Sequence, residues 1–195
     1  MKISKWVLAC SAALLLAGAA VAQDDAPKVE AFGGYSYLRV NPGFGAPGLN
    51  FNGGSGSVGY NFTSWLGAAA DFGGYHWSQS GEDATAVTYL FGPKVSFRSG
   101  PVTPFAQVLF GGAHLSGSAS CEEVVLGARI RPQGGVFGCG SGSDNAFALA
   151  AGGGLDWNAT EHIGIRLIQA EYLMTRFFSD TQNNARISVG VVFRW

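Results

Sequence analysis

Charge is scarce in this sequence. Charged residues are 13% of the chain, about half the share usual in a soluble domain. The formal net charge is −1. No basic excess marks a nucleic-acid surface, and no acidic excess marks a cation store. Cysteine is down to 3 residues and proline to 7. No G-X-Y period runs through the glycines, which excludes a collagen-like chain. Aromatics are 13%, too many for a disordered chain with so few charges. No long apolar run occurs after the first two dozen residues. What is abundant is glycine, 30 of 195 residues, about twice the usual share. The length allows one domain, or two small ones.

The N-terminus reads as an address. Lys2 and Lys5 form a positive n-region, Trp6 to Ala20 an Ala/Leu-rich h-region, and Ala20-Val21-Ala22 an A-x-A cleavage site before Gln23. The run is too short for a membrane anchor, which needs roughly 20 apolar residues. Cys10 is a poor lipoprotein site, because most of the apolar run follows it. Residues 1–22 are thus expected to be a signal peptide, and 23–195 one domain. Cleavage removes two lysines and leaves a formal net charge of −3 on 173 residues. Cys121 and Cys139 remain, in one Gly/Ser-rich segment. After export they are expected to form a disulfide, worth about 3 kcal/mol by loop closure. Two thiols with no histidine between them are half a zinc site.

Period 2 dominates the rest. In 144–157, Phe147, Leu149, Ala151, Leu155 and Trp157 share one face; Ala146, Ala148, Ala150 and Asp156 share the other. In 186–195, Ile187, Val189, Val191, Phe193 and Trp195 oppose Arg186, Ser188, Gly190 and Arg194. In 85–98, Val87, Tyr89 and Phe91 oppose Thr88, Lys94 and Arg98. In 65–77, Ala68, Ala70 and Phe72 oppose Gly67, Ala69 and Asp71. Segments 29–40, 50–62, 102–115 and 162–175 fit with more noise. In the last, Arg166 shares parity with Ile168, Ala170 and Tyr172. Either a bulge resets the parity or Arg166 snorkels at a membrane edge.

Eight segments of about 12 residues suit tilted strands that cross a bilayer. Short connections (near 62–65, 98–102 and 157–162) alternate with longer ones (41–49, 76–85, 115–144 and 175–184). The expected fold is all-β: an eight-stranded antiparallel transmembrane β-barrel with short periplasmic turns and long extracellular loops. Tyr35, Tyr37, Tyr60, Phe62, Trp65, Trp77, Trp157, Phe193 and Trp195 fall near strand ends, where such barrels carry aromatic girdles. One face is bulky and apolar, as lipid requires. The other is small with a few charges of both signs, as a narrow lumen requires. A soluble lipocalin-like barrel would carry more lysine and glutamate outside.

The final residues Ser188-Val189-Gly190-Val191-Val192-Phe193-Arg194-Trp195 resemble the terminal β-signal of outer-membrane proteins. With the signal peptide and the eight segments, the mature chain resembles the small OmpA/OmpX-type β-barrel superfamily. Stretches such as Phe32-Gly33-Gly34-Tyr35 and Leu109-Phe110-Gly111-Gly112 carry the same likeness. The resemblance implies the cell outer membrane of a Gram-negative-type bacterium. It also implies that the barrel-assembly machinery reads the last strand, with Gly190, Phe193 and Trp195 as the signal residues. A typical member ends in Phe, so Trp195 is a departure. The peptidoglycan-binding domain of OmpA is not carried over, because this chain stops at the barrel.

The candidate site is the lumen. Glu30, Asp71, Lys94, Arg98, Asp156, Glu171 and Arg186, with Gln107 and Gln169, are expected to face inward and pair, since unpaired buried charge is costly. A packed ionic plug leaves no pore, whereas a small porin would need one. His76-Trp77-Ser78 and His114-Leu115-Ser116 each put His and Ser on one strand face. This is the pattern of outer-membrane lipid A deacylases, but no strand carboxylate is placed beside either, leaving Glu122 or Glu123 in a loop. Asn158-Ala159-Thr160 reads as turn chemistry, and Gly152-Gly153-Gly154 is followed by no phosphate-loop lysine. No metal, cofactor or nucleic-acid constellation is found. The expected role is non-enzymatic: a structural or surface-interaction barrel among outer-membrane lipids, with the 115–144 loop as its best recognition element. The alternatives are a small porin and an outer-leaflet lipid enzyme.

Overall fold

The computed structural model describes residues 26–41, 48–79, 82–119, 140–177 and 180–195. The 1–22 segment, Cys121, Cys139, Glu122 and Glu123 lie outside them. Eight strands follow in order: β1 (Val29–Val40), β2 (Leu49–Asn61), β3 (Leu66–Gln79), β4 (Glu82–Ser96), β5 (Val102–Ala119), β6 (Gly140–Asn158), β7 (Ile163–Phe177) and β8 (Asp180–Arg194). Each pairs antiparallel with the next, and β1 pairs with β8, so the sheet closes into a barrel. At the seam Val29 and Trp195 exchange backbone hydrogen bonds of 3.0 Å each. Closure leaves no unpaired edge, which lipid would not tolerate.

The alternation explains the strands. Phe72, Phe91, Phe110, Phe147, Ile187, Val189 and Val191 are exposed on the outer wall, and their neighbours along the strand point inward. So much exposed apolar surface is stable only against another apolar phase. Pro93 sits in β4 where Gly92 and Pro93 have no ladder partner on β5, as its missing N–H demands. At one end lie both barrel termini and the connections 62–65, 97–101 and 159–162, here called the turn end. Thr63 and Thr160 tie two of these turns, their hydroxyls accepting from Leu66 N (2.9 Å) and Ile163 N (3.0 Å). The opposite end is the loop end.

Two expectations are corrected and one open alternative is resolved. The connections near 76–85 and 175–184 are not long: β3 and β4 stay paired to Gln79↔Glu82, and β7 and β8 to Phe177↔Asp180. Their polar residues form strand that continues past the apolar belt, because backbone pairing there does not depend on apolar side chains. Strands accordingly run from 12 to 19 residues. Trp77 is not in a girdle. It shares the inward parity of Asp71 and Tyr75 and packs its ring 6.3 Å from Phe51. In β7 the bulge, not snorkelling, accounts for Arg166. The register shifts between Arg166 and Gln169, Leu167 and Ile168 both face out, and Arg166 is buried in the lumen.

Candidate functional site

The structure places Glu30, Asp71, Lys94, Asp156, Glu171 and Arg186 buried in the lumen, with Arg98 half-buried at its turn end. Three further groups join them: Arg166, Arg194 and Tyr75. Arg194 shares parity with Arg186 in the sequence. Tyr75 shares it with Asp71. Arg166 shares the parity of outward-facing Ala170 and Tyr172 in the sequence, and only the bulge brings it inside.

At the turn end Glu30 is the hub. Its carboxylate accepts from Lys94 Nζ at 2.6 Å and Arg98 Nη2 at 2.9 Å, and Arg194 Nε lies 3.6 Å away. Arg98 also donates to the Ser64 carbonyl of the 62–65 turn. Arg194 bridges to Asp156 (3.2 Å), which takes a two-pronged contact from Arg166 (2.8 and 3.1 Å). The fork geometry makes such pairs strong. The Arg166 guanidinium lies between the rings of Phe32 and Phe105, 4.3 and 4.2 Å from their centroids. Lys94 lies 4.8 Å from that of Phe105.

Neutral amides carry the chain upward. Arg166 donates to Gln169 (2.6 Å), and Gln169 and Gln107 donate to the two oxygens of Glu171 (2.8 and 2.9 Å). Arg186 then spans Glu171 and Asp71, at 2.6 Å from each, and donates to the Tyr75 hydroxyl at 3.1 Å. Beside it Ser36 links Ser55 (2.5 Å) and Ser188 (2.6 Å) across three strands. Glycines make the room. Cβ atoms at Gly154 and Gly190 would meet the rings of Phe105 and Phe32, and one at Gly152 the Glu171 side chain.

The charges fill only half of the lumen. Toward the loop end the interior is an apolar cluster of Leu38, Phe51, Leu90, Leu109, Leu173 and small alanines, with Trp77 packed on it. Among the described residues a cavity of about 30 Å³ lies there, room for about one water molecule. The lumen therefore has two fillings in series, one ionic and one apolar.

The outer-face histidines have local partners. His114 Nδ1 is 2.9 Å from the Asn145 side-chain oxygen. His76 Nδ1 is 3.3 Å from the Thr85 hydroxyl, with its Nε2 3.8 Å from exposed Asp83. Against expectation a strand carboxylate, that of Asp83 on β4, does stand near His76; the group beside His114 is an amide, not the carboxylate that acyl transfer would use to orient it. Among the described residues no cluster of ligands suits a metal ion. Of the signal residues, Gly190 is apposed to Gly34 and Phe32. Phe193 and Trp195 point outward with rings stacked 6.3 Å apart.

The sequence matches the family described as "Outer membrane protein beta-barrel domain" over residues 8–194. The chain belongs to this family. Among solved structures it is similar to Neisserial surface protein A, with a TM-score of 0.66 at 13% identity over 88% of this chain and 100% of that one. It is also similar to Ail, the attachment invasion locus protein of Yersinia pestis: TM-score 0.56, 18% identity, 86% of this chain and 99% of that one. At these identities the likeness is one of fold. No curated protein sequence matches. The protein is a small OmpA/OmpX-type barrel of the cell outer membrane. In such barrels the short turns are periplasmic and the other end extracellular. The Glu30 hub thus faces the periplasm and the Leu90–Leu109 cluster the outside.

Proposed function

We propose that this outer-membrane barrel is a closed, non-enzymatic scaffold whose extracellular end meets partners outside the cell. The observation that carries the reading is the doubly filled lumen, with ion pairs below and packed side chains above; such a filling favours a closed barrel over a pore. Strands β5 and β6 support the second half of it. They are the longest, at 18 and 19 residues, and residues 120–139 join them in sequence. Cys121 and Cys139 lie in that connection, and a disulfide between them would lower the ordering cost of binding. Toward the loop end of β4, β5 and β6 a groove of about 460 Å³ is lined by Asp83, Thr85, Ser116, Ser118 and Ser143. Ail has been solved with the heparin analogue sucrose octasulfate. The hydroxyl groups of the groove here suit a hydroxyl-bearing ligand. Export through residues 1–22 and reading of Gly190, Phe193 and Trp195 by the assembly machinery complete the reading.

Two experiments test it. In planar bilayers the purified barrel is expected to give no reproducible conductance steps; stable steps would replace the scaffold with a porin. On intact cells, exchanging residues 120–139 for a Gly/Ser linker should abolish adhesion conferred by the barrel. Undiminished adhesion would remove the surface role from that element.

A further inference from the structure

The two halves of the ionic network do not balance. In the periplasmic half Lys94, Arg98, Arg166 and Arg194 meet Glu30 and Asp156. Above them Arg186 meets Asp71 and Glu171. Among the described residues the periplasmic half therefore sets four cations against two carboxylates. Lys94, Arg166 and Arg194 have side chains 6% exposed or less. Excess charge so buried is costly without a counter-ion.

One donor is left over. Arg194 Nη1 is buried and has no hydrogen-bond partner. It lies over Gly164, where even a Cβ would crowd it. Arg194 and Arg98 line a cavity of about 120 Å³ with Pro27, Thr103, Asn158, Thr160 and the exposed carboxylate of Glu161. Both threonine hydroxyls already accept a hydrogen bond, Thr103 from Asn158 Nδ2 (3.1 Å) and Thr160 from Ile163 N (3.0 Å). Their own O–H groups are thereby free to donate. The Asn158 side-chain oxygen is buried without a donor, an acceptor for a protonated oxyanion.

We propose that this cavity binds a phosphate-class oxyanion from the periplasmic side, either free phosphate or the phosphate of an inner-leaflet lipid headgroup. Arg194 Nη1 is the buried donor and Arg98 the second cation. Two guanidinium groups and two hydroxyl donors suit the several oxygens of a phosphate. The chain has rival anions of its own: the Glu161 carboxylate in the lining, and Asp24 and Asp25, which precede Pro27 in sequence and lie outside the described residues.

The test titrates the refolded mature chain, in phosphate-free maltoside micelles, with inorganic phosphate. A second arm uses short-chain phosphatidic acid, with the matching diacylglycerol as control; calorimetry reads both. Saturable binding of inorganic phosphate supports the free ion, and binding of phosphatidic acid alone supports the headgroup. In either case Arg98→Gln should weaken affinity about tenfold, roughly the loss of one charged contact. Gly164→Ala, which keeps every charge but crowds the Arg194 guanidinium, should also weaken it. Heat-modifiable gel mobility identifies folded variants, and Arg98→Gln decides alone if Gly164→Ala does not fold. The proposal is overturned if neither probe saturates the wild type or if affinity is unchanged in the folded variants. Binding that appears only in the Asp24→Asn/Asp25→Asn double variant also overturns it, since the chain's own acids then fill the site.

Discussion

Arg186 is the residue on which the upper half of the network turns. Its side chain is fully buried and meets two carboxylates. Arg186→Met leaves Asp71 and Glu171 buried without a cation, and should lower stability by about 3–5 kcal/mol, read as a fall in the urea midpoint of the folded barrel. Adding Asp71→Asn and Glu171→Gln to that variant should recover most of the loss, because what is costly is the unpaired charge and not the missing pair. A triple variant no more stable than Arg186→Met would refute this. Glycine is the other residue of consequence. A Cβ at Gly154 would meet the Phe105 ring, which lies against Arg166 and Lys94. Gly154→Ala should therefore cost about 1–3 kcal/mol in the same assay, more than Gly33→Ala, where a Cβ meets nothing. Strand alternation in the sequence puts Asp71, Lys94, Asp156 and Arg186 on the side where the structure has them. It does not say which of them meet. Lys94 reaches Glu30 across 64 positions and Arg186 reaches Asp71 across 115.

Strand β7 shows how far alternation can be followed. Its first half and its second half are each regular, but the parity differs between them. One extra residue, Leu167 or Ile168, turns both to lipid and keeps Arg166 and Gln169 inside. Deleting Ile168 should thus preserve the barrel, since the remaining sequence alternates without a break. Deleting Ala170, in the regular stretch, would turn Glu171 toward lipid and should abolish the heat-modifiable band. Folding of both deletions, or of neither, would contradict the register. The extended hairpins at Gln79–Glu82 and Phe177–Asp180 were hidden for a related reason. Their residues are mostly polar, as in Ser78-Gln79 with Glu82-Asp83 and in Asp180-Thr181-Gln182-Asn183, so hydropathy reads them as loop while backbone pairing makes them strand.

At the scale of the whole molecule the proposed closed scaffold makes the two lumen fillings seals in series. Trimming Leu90 and Leu109 to alanine should leave the barrel closed, because the periplasmic ion pairs still block the path. Arg194→Gln should likewise leave it closed, because the apolar cluster still does. Only the combined variant should conduct in planar bilayers; conductance from either partial variant would show that the remaining filling does not close the barrel by itself. What the sequence by itself determined is the material of each surface. Scarce charge, abundant glycine and period-2 alternation set a lipid-facing wall against a crowded interior, and the chain's strand count and turn spacing set the barrel. These are local properties, carried by residues two apart. Only the tertiary structure decided that Trp77 points inward, that β7 carries a bulge, and that one half of the lumen is ionic while the other is apolar. Those outcomes depend on which strands stand side by side once the barrel closes, and closure joins residues far apart in the chain.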